Sequence, residues 1–105
     1  MTSASPYPSE GAKLVLERAG ISDDGERADY RASIYTPEHR YDFDAALAMD
    51  GSAELRPRGD APDADLVKTF TNIAKSIARA AKRKRDEGLP AWPHRISRWR
   101  GPGRG

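Results

Sequence analysis

Catalysis needs particular side chains at particular separations, and this sequence offers few of them. Its two histidines are His39, just after the turn residue Pro37, and His94, in the tail after Pro93. No serine stands in a nucleophile-elbow motif and no Ser/His/Asp grouping is apparent, so acyl-transfer chemistry has neither nucleophile nor adjacent base. Asp42 and Asp44 alternate along one stretch, which sets both carboxylates on one strand face with Cβ atoms roughly 7 Å apart. Such a pair suits a divalent cation or a division of acid and base roles. It lacks a third and fourth ligand, however, and Arg31 is available to it across a hairpin, so it reads as structural. Asp23, Asp24 and Glu26 lack the spacing of a calcium loop and read as turn residues. There is no P-loop and no dinucleotide-binding glycine signature. Arg58-Gly59-Asp60 matches a cell-adhesion tripeptide in a loop and reads as coincidence. The chain is therefore expected to be a non-enzyme with no metal site and no cofactor.

The residues that do suggest a ligand are cations mixed with aromatics. Residues 1–60 carry 7 Lys/Arg against 12 Asp/Glu, and residues 61–105 carry 11 against 4. The formal net charge of +2 thus conceals an acidic first half and a basic second half. Lys82, Arg83, Lys84 and Arg85 follow one another, and Arg95, Arg98 and Arg100 come shortly after, interleaved with Trp92 and Trp99. Clustered cations neutralise phosphates, and aromatic faces beside them stack on unpaired bases. These nine residues form the candidate nucleic-acid-binding set, with a single strand or an acidic protein surface as the expected partner. The bland alternatives are a solvated helix face for the cations, and packing against the sheet or in a dimer interface for the tryptophans. The second functional reading is accordingly a protein–protein or assembly module, a homodimer included, that docks through the helix and tail.

The length of 105 residues suits one domain, with 37% hydrophobic and 32% charged residues. With no cysteine there is no disulfide framework, thiolate metal site or thiol nucleophile. No apolar run approaches the ~18 residues that span a bilayer, and no signal-peptide core follows Met1, which leads to the expectation of a cytoplasmic protein.

Periodicity supplies the elements that would position the candidates. Residues 1–10 are Ser/Pro-rich and read as a disordered lead-in. A single α+β domain is expected over 11–88, with strands at about 12–19, 26–35, 40–49 and 53–57 and a helix at about 63–87. Ala28, Tyr30, Ala32 and Ile34 alternate with polar residues, and so do Tyr41, Phe43, Ala45, Leu47 and Met49. A four-residue loop at 36–39 pairs Tyr35 with Arg40, Ile34 with Tyr41, Ala32 with Phe43 and Arg31 with Asp44. That register brings apolar residues together on one face and an ion pair to the other. After Asp50-Gly51, a three-residue loop through Ser52 pairs Met49 with Ala53 and Leu47 with Leu55, keeping the core face apolar.

From Asp63 the period becomes helical. Leu66, Phe70, Ile73 and Ile77 form a stripe, Asp63 or Asp65 caps the start, and Gly88 with Pro90 marks the stop. The final turns are expected to project beyond the sheet as an exposed basic segment. Residues 89–105 read as an irregular or short-helical Trp/Arg tail, since Trp92, Ile96 and Trp99 have helical spacing, and Gly101-Pro102-Gly103-Arg104-Gly105 reads as loose. The expected fold is thus α+β, a four-stranded antiparallel meander followed by one long helix packed on one face. This order of elements resembles that of single-stranded nucleic-acid binders of the Whirly and Pur type. The resemblance is one of element order, without a matched motif, and implies a sheet protein that dimerises and binds single strands.

Overall fold

The computed structural model describes residue 8 and residues 10–101. Most of the expected lead-in at 1–10, and the end of the chain beyond Gly101, lie outside the described residues. The elements are β1 (Ala12–Ile21), β2 (Arg27–Tyr35), β3 (Arg40–Ala48), β4 (Ala53–Pro57), α1 (Ala64–Asp86) and β5 (Arg95–Arg100). They form an α+β fold in which five antiparallel strands lie in the order β4-β3-β2-β1-β5. The helix covers one face of this sheet, chiefly over β3 and β4.

The β2–β3 hairpin follows from its alternation. Tyr35 pairs with Arg40, Ile34 with Tyr41, Ala32 with Phe43 and Arg31 with Asp44, as the pattern requires. The Thr36 N–H closes the loop on the His39 carbonyl at 2.9 Å. The expected Arg31–Asp44 ion pair is replaced by Arg58–Asp44 at 3.3 Å. The chain beyond β4 runs beside β3, where the Arg58 N–H donates to the Asp42 carbonyl, and so delivers the Arg58 guanidinium instead.

The β3–β4 loop has the expected length but sits one residue earlier. It comprises Met49, Asp50 and Gly51, which sets Leu47 opposite Ala53 and Ala45 opposite Leu55 rather than Met49 opposite Ala53 and Leu47 opposite Leu55. A three-residue hairpin loop wants its last residue in the left-handed region, and Gly51 occupies it with φ +91°. The Asp50 carboxylate accepts from the Ser52 N–H and hydroxyl at 2.9 and 2.6 Å. Moving the loop by one position at each end preserves the parity of the strands, so the core face stays apolar. Met49 becomes a loop residue whose side chain is nevertheless buried.

The helix begins where its cap dictates, with the Asp63 carboxylate accepting from the Leu66 N–H at 2.9 Å. Phe70, Ala74, Ile77, Ala78 and Ala81 are buried, while Leu66 and Ile73 are only partly so. The alanines bring the helix close to the sheet and share the contact with the larger side chains. At the other end, Leu89 N–H returns to the Lys84 carbonyl at 2.8 Å. Lys82, Arg83 and Arg85 of the last turns are exposed, and Arg85 pairs with Glu26 in the β1–β2 turn.

The tail differs most from expectation. Residues 95–100 form neither a short helix nor an irregular segment but the edge strand β5, paired antiparallel to β1 from Glu17↔Arg95 to Ala12↔Arg100. The spacing of Trp92, Ile96 and Trp99 suits a helix, but the unpaired edge of β1 offers a row of backbone donors and acceptors that only a strand can satisfy. Ile96 then meets Leu16 on the core face. The core joins Leu14, Leu16, Tyr30, Ile34, Phe43, Leu47, Phe70, Trp92 and Ile96 between sheet and helix.

Candidate nucleic-acid interface

Strand alternation divides the candidate residues between two faces. In β5, Ile96, Arg98 and Arg100 share the helix side with Leu16, Leu14 and Ala12 of β1. Arg95, Ser97 and Trp99 share the open side with Glu17, Val15 and Lys13. The first-half residues Arg27, Asp29, Arg31, Asp42 and Asp44 also lie on that open side, in register on β2 and β3.

The two tryptophans have opposite fates. Trp92 is 3% exposed. Its indole N–H donates to the Gly25 carbonyl at 2.9 Å, and its own carbonyl accepts from the Arg18 guanidinium at 2.7 Å. Beside it, the Tyr30 hydroxyl donates to the Pro93 carbonyl at 2.8 Å. Burial pushes the Tyr30 phenol up to about 12, against a smaller opposing effect of the Arg18 charge. Trp92 is thus a clasp between the helix exit and the β1–β2 turn, and as placed its ring is not available for stacking. Trp99 is 60% exposed. Its six-membered ring lies over Gly101, where an added Cβ would come within 2.7 Å of Cη2 and 3.1 Å of Cζ3. The glycine therefore leaves room for the indole to rest on the backbone.

The sheet register places three further residues beside Trp99. Trp99 stands opposite Lys13, Lys13 opposite Tyr35, and Tyr35 opposite Arg40. This row crosses four strands, about 14 Å at the usual strand spacing. Aromatic and cationic residues alternate along it, without a carboxylate in the row itself. The Arg40 guanidinium lies 5.7 Å from the Tyr35 ring centre and also pairs with Asp42 at 2.9 Å, so both are engaged within the sheet. Lys13 and Trp99 make up the other half of the row.

The cations of the second half are only partly neutralised. Arg85 pairs with Glu26, Lys82 with Asp86 at 3.9 Å and Arg95 with Glu17 at 3.9 Å. The last two pairs are well exposed, and such pairs contribute only ~0–1 kcal/mol, so they hold their cations weakly. Among the described residues, Arg83, Lys84, Arg98 and Arg100 have no carboxylate within ion-pair distance. Lys84, Arg95 and Arg98 line one groove between α1 and β5. Arg100 lies apart from them in a smaller cleft near the helix start, with Asp63 and Asp65.

The remaining candidates are occupied by the fold. Asp42 accepts from Ser33 at 3.0 Å and from Arg40 at 2.9 Å. Partial burial acts to raise its carboxyl, but these hydrogen bonds and the charges of Arg40 and Arg58 outweigh it and hold Asp42 below the usual carboxylate range. Asp24 is likewise lowered, by the Glu26 N–H and the Ser22 hydroxyl in the β1–β2 turn. His39 stacks on Tyr41 with ring centres 5.8 Å apart. His94 is exposed, and its carbonyl accepts from the Arg18 N–H. Arg58, Gly59 and Asp60 line a shallow cleft with Arg40, Tyr41 and Asp42. Among the described residues no three His, Asp or Glu side chains come together as a metal site. No described helix is long and apolar enough to cross a membrane.

Sequence reasoning missed Lys13 as a partner of Trp99. Its face follows from the parity of β1, which the short run Leu14-Val15-Leu16 leaves open, and its neighbour follows from the position of β5. Compared with known protein families, with curated proteins and with solved structures, the chain matches none of them.

Proposed function

We propose that this chain is a small non-catalytic protein that binds single-stranded nucleic acid along β5. The exposed indole of Trp99, seated on Gly101 and flanked in register by Lys13, carries this reading. A base stacks on the open face of Trp99, and Lys13 neutralises an adjacent phosphate. Arg98 and Arg100, at the sheet edge on the other side of the same strand, hold the backbone as it leaves the platform. Arg83, Lys84 and the exchangeable Lys82 and Arg95 extend the cationic track towards the end of α1. A single strand fits this arrangement better than a duplex, because the aromatic face is offered to an unpaired base. Trp92 and Arg85 support the track from behind rather than touching the ligand.

Fluorescence anisotropy of a labelled oligothymidylate tests the reading. For about four neutralised phosphates, affinity should fall roughly 50-fold between about 50 and about 200 mM salt, from a slope of ~0.7 per phosphate. Binding that is absent at low salt, or that is indifferent to Trp99→Ala, removes the proposal.

A further inference from the structure

We propose a second ligand site, for an acidic extended peptide, in the groove between α1 and β5 and on the free edge of β5. Two independent features meet there. The first is the groove itself, about 460 Å³, with an apolar floor of Ile73, Ile77, Ala80 and Ile96. It runs between α1 and β5, on the side of the helix away from the strands β3 and β4 over which the helix chiefly packs. Its charged lining residues are Lys84, Arg95 and Arg98, with no carboxylate among them. The second feature is the edge. β5 ends the sheet order, and no described strand pairs with its outer side.

An exposed strand edge recruits a further strand through main-chain hydrogen bonds, and pockets for alternate side chains supply selectivity. A peptide added to β5 directs every second side chain towards the helix side. Apolar side chains there enter the groove, and acidic ones meet Lys84 and Arg98 at its rim. Charge decides between possible occupants. A second copy pairing through β5 would bring its own three arginines against the three of the first, with no acid in either strand. The chain's own first nine residues carry no Asp or Glu to match the rim. An acidic partner peptide satisfies edge, floor and rim together. The rim cations Lys84, Arg95 and Arg98 are shared with the proposed nucleic-acid track. The apolar floor, however, lies on the helix side of the sheet and Trp99 on the other, so Trp99 separates the two readings.

The test uses the full chain and a labelled peptide of repeating Val-Thr-Glu-Thr, which sets valine and glutamate in turn on one strand face, read by anisotropy. Its counterpart with lysine in place of glutamate, and a version with proline at two central positions, serve as controls. The acidic peptide should bind at least tenfold more tightly than either control. Arg98→Glu should weaken it at least tenfold, as should Ala80→Trp, which fills the groove. Ser76→Glu, at an exposed position on the groove wall, gives a second charge-reversing variant should the tryptophan disturb the helix. Trp99→Ala should leave peptide affinity unchanged while weakening the oligonucleotide, so the two readings fail separately. Equal binding of the acidic and lysine peptides, undiminished binding of the proline version, or a β5-dependent dimer in sedimentation would each overturn the proposal.

Discussion

The indole N–H of Trp92 donates to the carbonyl of Gly25 at 2.9 Å, joining residues 67 positions apart. This bond ties the segment after the helix to the turn between the first two strands. The neighbouring Arg85–Glu26 pair and the Tyr30–Pro93 hydrogen bond fasten the same junction. Chain direction into β5 is therefore set by a polar clasp built around a buried aromatic, before any strand pairing is counted.

Trp92→Ala should cost about 3–5 kcal/mol of stability, the usual range for deleting a large buried aromatic. Trp92→Phe, which keeps much of the ring but leaves the Gly25 carbonyl without its donor, should cost less, with about 1 kcal/mol from the hydrogen bond. Urea denaturation with parallel slopes checks both. A loss under about 0.5 kcal/mol for the alanine variant would show that the clasp is dispensable.

Trp99→Ala should behave in the opposite manner. An exposed residue of this kind contributes within about 0.5 kcal/mol to stability. Removal of a stacking platform weakens single-strand binding by roughly 1–3 kcal/mol. Measuring the denaturation midpoint and the oligonucleotide Kd on the same preparation separates the two effects. A variant that unfolds instead of losing affinity would reassign Trp99 to the fold.

Gly101→Ala tests whether the platform is built or incidental. The added Cβ would fall 2.7 Å from the indole, so the ring must swing away from its seat. The expected result is a shift in Trp99 emission, read in a Trp92→Phe background, together with weaker oligonucleotide binding. Unchanged emission and affinity would mean that the indole is not held by the glycine.

Tyr30 gives a dependence on alkaline pH. Its phenol ionises near 10 when unfolded and is pushed up to about 12 when folded, since burial disfavours the phenolate. The folded state thus keeps its proton where the unfolded state releases it. The associated stability is complete below pH 10 and is lost as pH rises towards 12. Thermal melts of the wild type and Tyr30→Phe at a series of alkaline pH values isolate this contribution. At neutral pH the variant should lose about 1 kcal/mol for the hydrogen bond to Pro93. Across the alkaline window the difference should shrink; a constant difference would exclude the linkage.

The β2–β3 hairpin and the helix were legible in the chain because their determinants are local. Alternation and the loop at 36–39 are enough to set Arg31 opposite Asp44 and Ile34 opposite Tyr41. Asp63 caps the helix from three residues away. The one-residue displacement of the 49–51 loop shows the limit, because two registers of equal parity both keep the core apolar. The difference between them is the positive φ that Gly51 adopts.

By itself, the sequence determined that this protein has an antiparallel sheet, a long capped helix, and a basic second half bearing two tryptophans. Only the tertiary structure decided what those tryptophans do. Trp92 and Trp99 have similar local surroundings, each near a proline or glycine and an arginine, so no short-range rule separates them. The separation comes from the open edge of β1, whose unpaired backbone groups draw 95–100 into a strand, and from the Gly25 carbonyl, which waits for a donor 67 residues away. Backbone hydrogen bonding is a demand of the whole sheet. It overrode a helical spacing, buried one indole in the core and left the other resting on Gly101 beside Lys13.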